Sequence, residues 1–570
     1  MRHMQQENMQ AALALLLGPE TDYTLRIRAA RRLARQGSAI LPLVLATLNH
    51  YPEITSPPWP WWPPQYEHCG RLLLHLSQDA QVDLEALLHP PFVIPPAGPV
   101  LWTSVIEAAG LIPHTDHEEL LRNALETPWP TVRYAAAMAL AIRARKIVLQ
   151  HTTLTALHVH QGEHEDFPVR LTASYALFSS GESIGLDVLI ELMEASIPLE
   201  VRRAATFVLA TEPSPIHFSL AHRERLMARL VSSLRDQDHE LTMHAAHALG
   251  KIAQPAILPT LSRLLDENDP PRQIAVLTAL EEMAARKTIR HAMHQQGLPT
   301  SILPLLKSPL PEVRQQASYA LAACGGEYGA AVLGTIVLNR EHPGHIEAIE
   351  GLRLLHGALR YPLRANVVRW LLGLLPQSGV ETQVAVLDSL THLLWQARSH
   401  GQKRAWQDIC QEIVLEGTAL RLLDAESAWV RQRVIELLTI FGPYLDLLPE
   451  LPPRLAHLLH TDENAGVRAG IAYMYSRVAA RWALPALLQA LLDPDEHVAQ
   501  TALTALSQLA TPDDAIVRYA LTELARLYNT HDPHANTLAR AARQLLKKWQ
   551  RAEQGETVTT LHSFGEQTIL

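Results

Sequence analysis

One ten-residue pattern of apolar and polar positions recurs along the chain. It reads VRYAAAMALA from Val132, VRLTASYALF from Val169, VRRAATFVLA from Val201, LTMHAAHALG from Leu241, VRQQASYALA from Val313, VRQRVIELLT from Val430, VRAGIAYMYS from Val467 and VAQTALTALS from Val498. The first, fifth, eighth and ninth positions are apolar or small; in the fourth copy they are Leu241, Ala245, Ala248 and Leu249. This spacing places them on one face of a helix. Weaker copies phase at Leu25, Tyr66, Leu101, Arg272, Gly344, Thr382 and Thr537, for a mean spacing of about 37 residues. Breakers precede most copies, among them Pro128, Pro168, Pro198, Asp238, Asp462 and Pro494, and suit turns and helix starts. A second apolar helix follows most copies, as over 255–265 and 483–492. No segment sustains the alternation of β-branched residues that a strand requires.

One such helix pair cannot bury its apolar face alone, so pairs must stack side by side into a continuous core. Small residues at the fifth and eighth positions let neighbouring helices approach closely. The repeated Val-Arg…Ala…Ala-Leu pattern resembles the HEAT-repeat family, in the bacterial form labelled phycobilisome-lyase HEAT-like. The resemblance covers residues 20–550 or so and implies an all-α solenoid of about 15 helix pairs. On that reading residues 1–551 form one domain and 552–570 a flexible tail. A fold of this kind hosts many functions, so function must be sought in particular residues.

Composition narrows the field. The chain has 570 residues, 48 % of them hydrophobic, which excludes a disordered chain. Its formal charge of −9 argues against wrapping nucleic acid. The three cysteines, Cys69, Cys324 and Cys410, are far apart and form no CxxC pair, so neither a disulfide framework nor a cysteine zinc site is expected. The apolar run 11–17 lacks the basic start and cleavage site of a signal peptide. No run of 18 apolar residues suggests a membrane span. The expected setting is the cytoplasm.

Departures from the repeat are the better guide to function. Eleven of 39 prolines fall within 52–99, and the run Ser-Pro-Pro-Trp-Pro-Trp-Trp-Pro-Pro (56–64) cannot be helical. Trp59, Trp61 and Trp62 there either grip a partner or cover the end of the solenoid. The longest step between copies, 382 to 430, suggests a basic-aromatic loop over 396–408 carrying Arg398, His400, Lys403, Arg404 and Trp406. This loop is either a contact for an acidic partner or a solvated connection. In the family the second helix of each pair lines the concave surface, which implies that the seventh residue of each copy stands on or beside it. Read along the chain, those residues include Tyr175, Phe207, His247 and Tyr319, then Glu350, Asp388 and Glu436. An aromatic centre followed by acids would receive apolar anchors and basic side chains of a protein or peptide. The alternative is that the aromatics fill gaps between adjacent helices and the carboxylates are solvated.

Other chemistry has little support. Glu240, His244 and His247 share a helix face at metal-ligand spacing, yet they stand alone among 29 histidines. HEAT-like deoxyhypusine hydroxylase places His-Glu pairs at the third and fourth positions of its copies. Here those positions read Tyr134-Ala135, Leu171-Thr172 and Met243-His244, while His117-Glu118, His164-Glu165 and His239-Glu240 lie in turns or helix starts. HEAT-like bilin lyases share only the generic repeat, and HEAT-like DNA glycosylases need a basic face that is absent from the middle of the series. The expectation is a non-catalytic scaffold for a protein or peptide, with neither cofactor nor metal. A lyase-like or metal-dependent modifier using the same groove is the alternative. The arginine at the second position (Arg133, Arg170, Arg202, Arg314, Arg431, Arg468) is expected to pair with acids in the inter-helix turns.

Overall fold

A computed structural model describes residues 2–18, 21–54, 64–93, 96–112, 117–211, 219–355, 361–399, 403–441, 450–526 and 533–553. These residues are helical, with turns and short 3-10 segments between, and no strand occurs among them. They divide into two compact units, Met1–Ile289 and Arg290–Leu570.

All fifteen expected copies lie in helices. In the first unit these are α1 (Tyr23–Ala34), α2 (Pro64–Ala80), α3 (Pro99–Gly110), α4 (Pro130–Ala144), α5 (Phe167–Ser179), α6 (Leu199–Thr211), α7 (His239–Ile252) and α8 (Pro270–Met283). In the second they are α9 (Pro311–Leu338), α10 (His345–Leu352), α11 (Val380–Ser399), α12 (Ala428–Phe441), α13 (Ala465–Arg477), α14 (Glu496–Leu509) and α15 (Pro533–Glu553). Within each unit, consecutive members pack against one another. Second helices complete the pairs, such as Ser183–Glu191 beside α5 and Leu484–Ala490 beside α14. Each unit is therefore a stack of helix pairs, the solenoid arrangement anticipated from the repeat.

The periodic positions build the core. In α7, Leu241, Ala245, Ala248 and Leu249 are all fully buried, as are Val313, Ala317, Ala320 and Leu321 in α9. Each large apolar side chain so buried contributes about 1.5–3 kcal/mol before entropic costs. Helix starts follow from the breakers. Asp238 accepts from the Leu241 amide at 2.8 Å and Asp495 from the His497 amide at 2.9 Å, capping α7 and α14. Proline occupies the first turn of α3, α4, α5, α8 and α9, where no amide hydrogen is needed.

The second-position arginines join successive turns, as expected. Arg431 donates to both oxygens of Asp462 at 2.7 and 2.8 Å, and to the Ala425 carbonyl at 2.7 Å. Arg468 grips Asp493 at 2.7 and 2.8 Å and the Asp462 carbonyl at 2.7 Å. Arg133 holds Glu165, Arg170 Glu191, Arg202 Asp236 and Arg314 Glu347. Four of the six acids lie in turns, while Glu191 ends a second helix and Glu347 sits in the first turn of α10, so these arginines are joints of the stack.

Two local features differ from the simple pattern. Residues 311–338 form the one described helix whose length and hydropathy match a membrane span. Its backbone breaks at Gly326 (φ 53°, ψ −131°), so 311–325 and 327–338 are two helices, each shorter than the about 20 residues a span needs. The basic-aromatic segment 396–408 is not a loop over most of its length. Residues 396–399 finish α11 and Lys403–Glu416 is the next helix, which places Lys403, Arg404 and Trp406 in its first turns. The long step lengthens two helices.

Candidate interaction surface

In the first unit, neighbouring helices bring the aromatic residues of the series together with polar partners. Tyr175 on α5 is only 5 % exposed, so it presents no open ring to a ligand. Its hydroxyl is hydrogen-bonded by Arg145, whose guanidinium carbon lies 5.5 Å from the ring centroid. Phe207 on α6 remains 49 % exposed and meets His244 of α7 edge to face at 5.1 Å. His247 bonds Glu282 of α8 through Nδ1. That bond first, then the nearby carboxylate charge, overcomes burial and raises His247 above the usual histidine range. Burial has the opposite effect on His244 and lowers it.

The Glu240/His244/His247 triplet does not converge. Glu240 lies 3.3 Å from Arg203, His244 meets Phe207, and His247 turns to Glu282. Among the described residues no group of three His, Cys, Asp or Glu is arranged to hold a metal ion. Two glutamates from the His-Glu pairs serve the stack: Glu165 bonds His160 at 2.7 Å and Arg133 at 2.9 Å, and Glu118 accepts from the Gln150 amide at 2.6 Å.

In the second unit, the remaining residues of the series form two successive arrangements on adjacent helices. Tyr319 of α9 donates to Glu350 Oε2 at 3.1 Å, and Gln315 donates to the same oxygen at 2.8 Å. Arg353, just beyond α10, donates to the Tyr319 hydroxyl at 2.9 Å with its guanidinium carbon 5.3 Å from the ring centroid. Close packing sets this register: a Cβ on Gly351 would stand 2.9 Å from Ser318 Cβ. Burial, with Glu350 adding, pushes the Tyr319 hydroxyl up to about 12. Next along the stack, Arg433 of α12 bridges Asp388 of α11 at 3.1 Å and Glu436 at 2.6 Å. Asp388 is nevertheless raised, first by burial and further by Glu436 and Glu350 against the pull of Arg433 and Arg353. Asp388 and Glu436 thus share the Arg433 guanidinium, while Glu350 accepts from Tyr319 and Gln315, so each acid of the run has a partner from within.

Large exposed aromatics accompany this network. Trp395 (54 % exposed) follows Asp388 by seven residues on α11, and Trp429 (66 %) precedes Glu436 by seven on α12. Two turns of helix return a side chain to nearly the same face, so each tryptophan shares a face with a member of the network. Tyr473, the seventh-position residue of α13, is 53 % exposed. The two tryptophans were missed in the sequence, although a spacing of seven from Asp388 and Glu436 marks them. Trp59, Trp61 and Trp62 lie outside the described residues. The chain leading to them is fixed, since the Tyr66 hydroxyl donates to the Ile54 carbonyl and accepts from its amide, both at 3.0 Å.

Comparison with known proteins agrees on the repeat. Residues 452–547 match the family model for HEAT repeats. No curated protein sequence matches the chain. Among solved structures, Kap95p bound to RanGDP is 14 % identical, with 95 % of this chain and 87 % of that one covered and a TM-score of 0.39. Kap121p is 12 % identical, with 97 % and 79 % covered and a TM-score of 0.42. An engineered protein is 20 % identical, with 76 % and 99 % covered and a TM-score of 0.28.

Proposed function

We propose that this chain, whose residues 452–547 are HEAT repeats, is a non-catalytic scaffold that docks a partner protein or peptide on the α9–α13 face. The observation that carries the reading is the set of exposed aromatics, Trp395, Trp429 and Tyr473, beside the Tyr319–Glu350 and Asp388–Arg433–Glu436 network. Tryptophan, tyrosine and arginine dominate the energetics of protein interfaces, the aromatics because they bury much area at low entropic cost. Fixed charges between the anchors supply register, and their slight negative excess disfavours nucleic acid. The three cysteines are buried and unpaired, which suits a reducing compartment such as the cytoplasm.

The test is quantitative co-purification from the native host with wild-type bait and a Trp395→Ala/Trp429→Ala variant matched for helicity. A protein enriched by wild type and lost from the variant supports docking on this face. Equal capture by both baits refutes it and turns attention to Phe207 and the 55–63 segment.

A further inference from the structure

The helix α15 divides its residues by chemistry. Leu538, Ala539, Ala542, Leu545 and Trp549 are buried, and the helix packs on α14 and on Ala515–Arg526. Its exposed side carries Arg540, Arg543, Lys547, Lys548 and Arg551, with no acid anywhere from 537 to 551.

Local structure accounts for only two of these cations. Arg543 donates to the Ala525 carbonyl at 3.0 Å and closes the end of the neighbouring helix. Arg551 alone lies in the last turn, where the helix dipole favours a positive charge. Arg540, Lys547 and Lys548 have neither use, and with Arg551 they form no ion pair among the described residues. The two helices packed against α15 hold one acid each: Glu523 pairs with Arg526 at 2.6 Å, and Glu496 stands at the first residue of α14. Elsewhere exposed arginines have an acid within reach, as Arg71 has Glu67, Arg225 has Asp187 and Arg481 has Asp514. Here Arg540 and Arg543, Arg543 and Lys547, and Lys547 and Arg551 follow one another at three or four residues, so like charges repel along one ridge.

We propose that the Arg540–Lys547–Arg551 ridge of α15 binds an acidic segment of a partner protein, one with carboxylates at every third or fourth residue. The ridge is about 16 Å long, and a segment of that spacing sets an acid against each cation. The class of partner rests on the docking reading above. Arg543 is the seventh residue of its copy, in register with Tyr473 of α13, and the three ridge residues lie within about 80° of it around the helix. The ridge therefore falls in the register of the α9–α13 face. Other polyanions fit less well. The apolar side of α15 is already buried, so the helix has nothing to insert into a bilayer. Trp549 is 6 % exposed and offers no ring for a base to stack on, and a formal charge of −9 opposes a long polyanion far more than a short acidic segment.

The experiment measures fluorescence anisotropy of the full chain with a labelled alanine-based dodecapeptide bearing four glutamates three or four residues apart, and with the same peptide bearing glutamines. Wild type is expected to prefer the glutamate peptide about tenfold. Arg540→Gln/Lys547→Gln/Arg551→Gln, three exposed substitutions that leave the Arg543 bond in place, is expected to remove most of that preference. Arg540→Lys/Arg551→Lys is expected to keep it. Arg71→Gln/Arg225→Gln/Arg235→Gln changes the net charge equally, at exposed sites of the first unit, and is also expected to keep it. The peptide has no aromatic anchor, so Trp395→Ala/Trp429→Ala is expected to leave the ratio unchanged, and the ridge and the docking face can fail separately. Equal binding of the two peptides overturns the proposal, as does a preference that survives the α15 triple substitution or is lost equally in the first-unit control. Displacement of the glutamate peptide by phosphatidylserine vesicles or by a ten-nucleotide oligothymidylate at equal charge concentration also overturns it, in favour of a membrane or a nucleic acid.

Discussion

Replacing Arg431 by alanine is a direct test of whether the second-position arginines hold the stack together. The pair is buried at both ends, with side-chain exposures of 9 % for Arg431 and 2 % for Asp462. Alanine deletes two charge-assisted bonds to Asp462 and leaves the Ala425 and Glu426 carbonyls without this donor. Asp462 keeps the Asn464 amide at 2.9 Å, which offsets part of its buried charge. Breaking a buried pair in this way costs about 3–5 kcal/mol, most of it the isolated carboxylate. The contrast is Arg526→Ala, which removes an exposed pair with Glu523 (70 % and 41 % exposed) and is worth well under about 1 kcal/mol. Because a repeat stack does not unfold as one two-state unit, local stability is the proper readout. Native-state hydrogen exchange of peptides covering α12 and α13 is expected to accelerate by roughly two to three and a half orders of magnitude in Arg431→Ala. Restoring an apolar joint with Arg431→Met/Asp462→Leu should recover much of the loss, since the charge is then no longer stranded. If Arg431→Ala changes exchange there less than about tenfold, no more than Arg526→Ala, the joint role of these arginines is wrong.

Other perturbations follow from the same geometry. Gly351→Ala should destabilise α9–α10 by about 1–3 kcal/mol despite its better helix propensity, because the new methyl meets Ser318 at 2.9 Å; exchange of peptides from α10 measures it. Burial alone would raise Asp493, but its bonds from Arg468 and the Asp495 amide outweigh this and hold it below the usual 3.8. Its stabilising contribution is therefore complete above pH 3.8 and lost as pH falls through the lower folded value, a dependence that exchange of α13 should show in wild type and not in Asp493→Asn. His247 has the opposite sign. Its contribution with Glu282 is full below pH 6.5 and fades as pH rises through the raised folded value, so Glu282→Gln should accelerate hydrogen exchange of α7 and α8 peptides, relative to wild type at the same pH, more at pH 6 than at pH 9.

The helices were legible in the sequence because one constraint repeats. A face that must be buried imposes i, i+4, i+7 and i+8, and even the faint copies at Tyr66, Arg272 and Gly344 fall at helix starts since their neighbours carry the phase. The arginine joints were legible for a related reason: the partner acid sits in a turn at a bounded distance downstream, as Glu165 does from Arg133 and Asp493 from Arg468. Side-chain exposure at the seventh position has no such rule. Tyr175 is covered, and Arg145, from the turn after the preceding helix, reaches its hydroxyl, while Phe207 one repeat later meets His244 and stays half exposed. The acids Glu350, Asp388 and Glu436 read as a free run until lateral packing sets Gln315 and Tyr319 on Glu350 and Arg433 between the other two, and Gln315 and Arg433 stand at positions that no seven-residue count samples. The segment 396–408 misled for a different reason. Extra residues between copies can enter a loop or lengthen helices, and the twenty residues of α11 show that here they lengthen the helix that presents Trp395. Repetition therefore specifies the backbone scaffold, whereas the chemistry of its surface depends on long side chains from neighbouring repeats, which one periodic position cannot reveal.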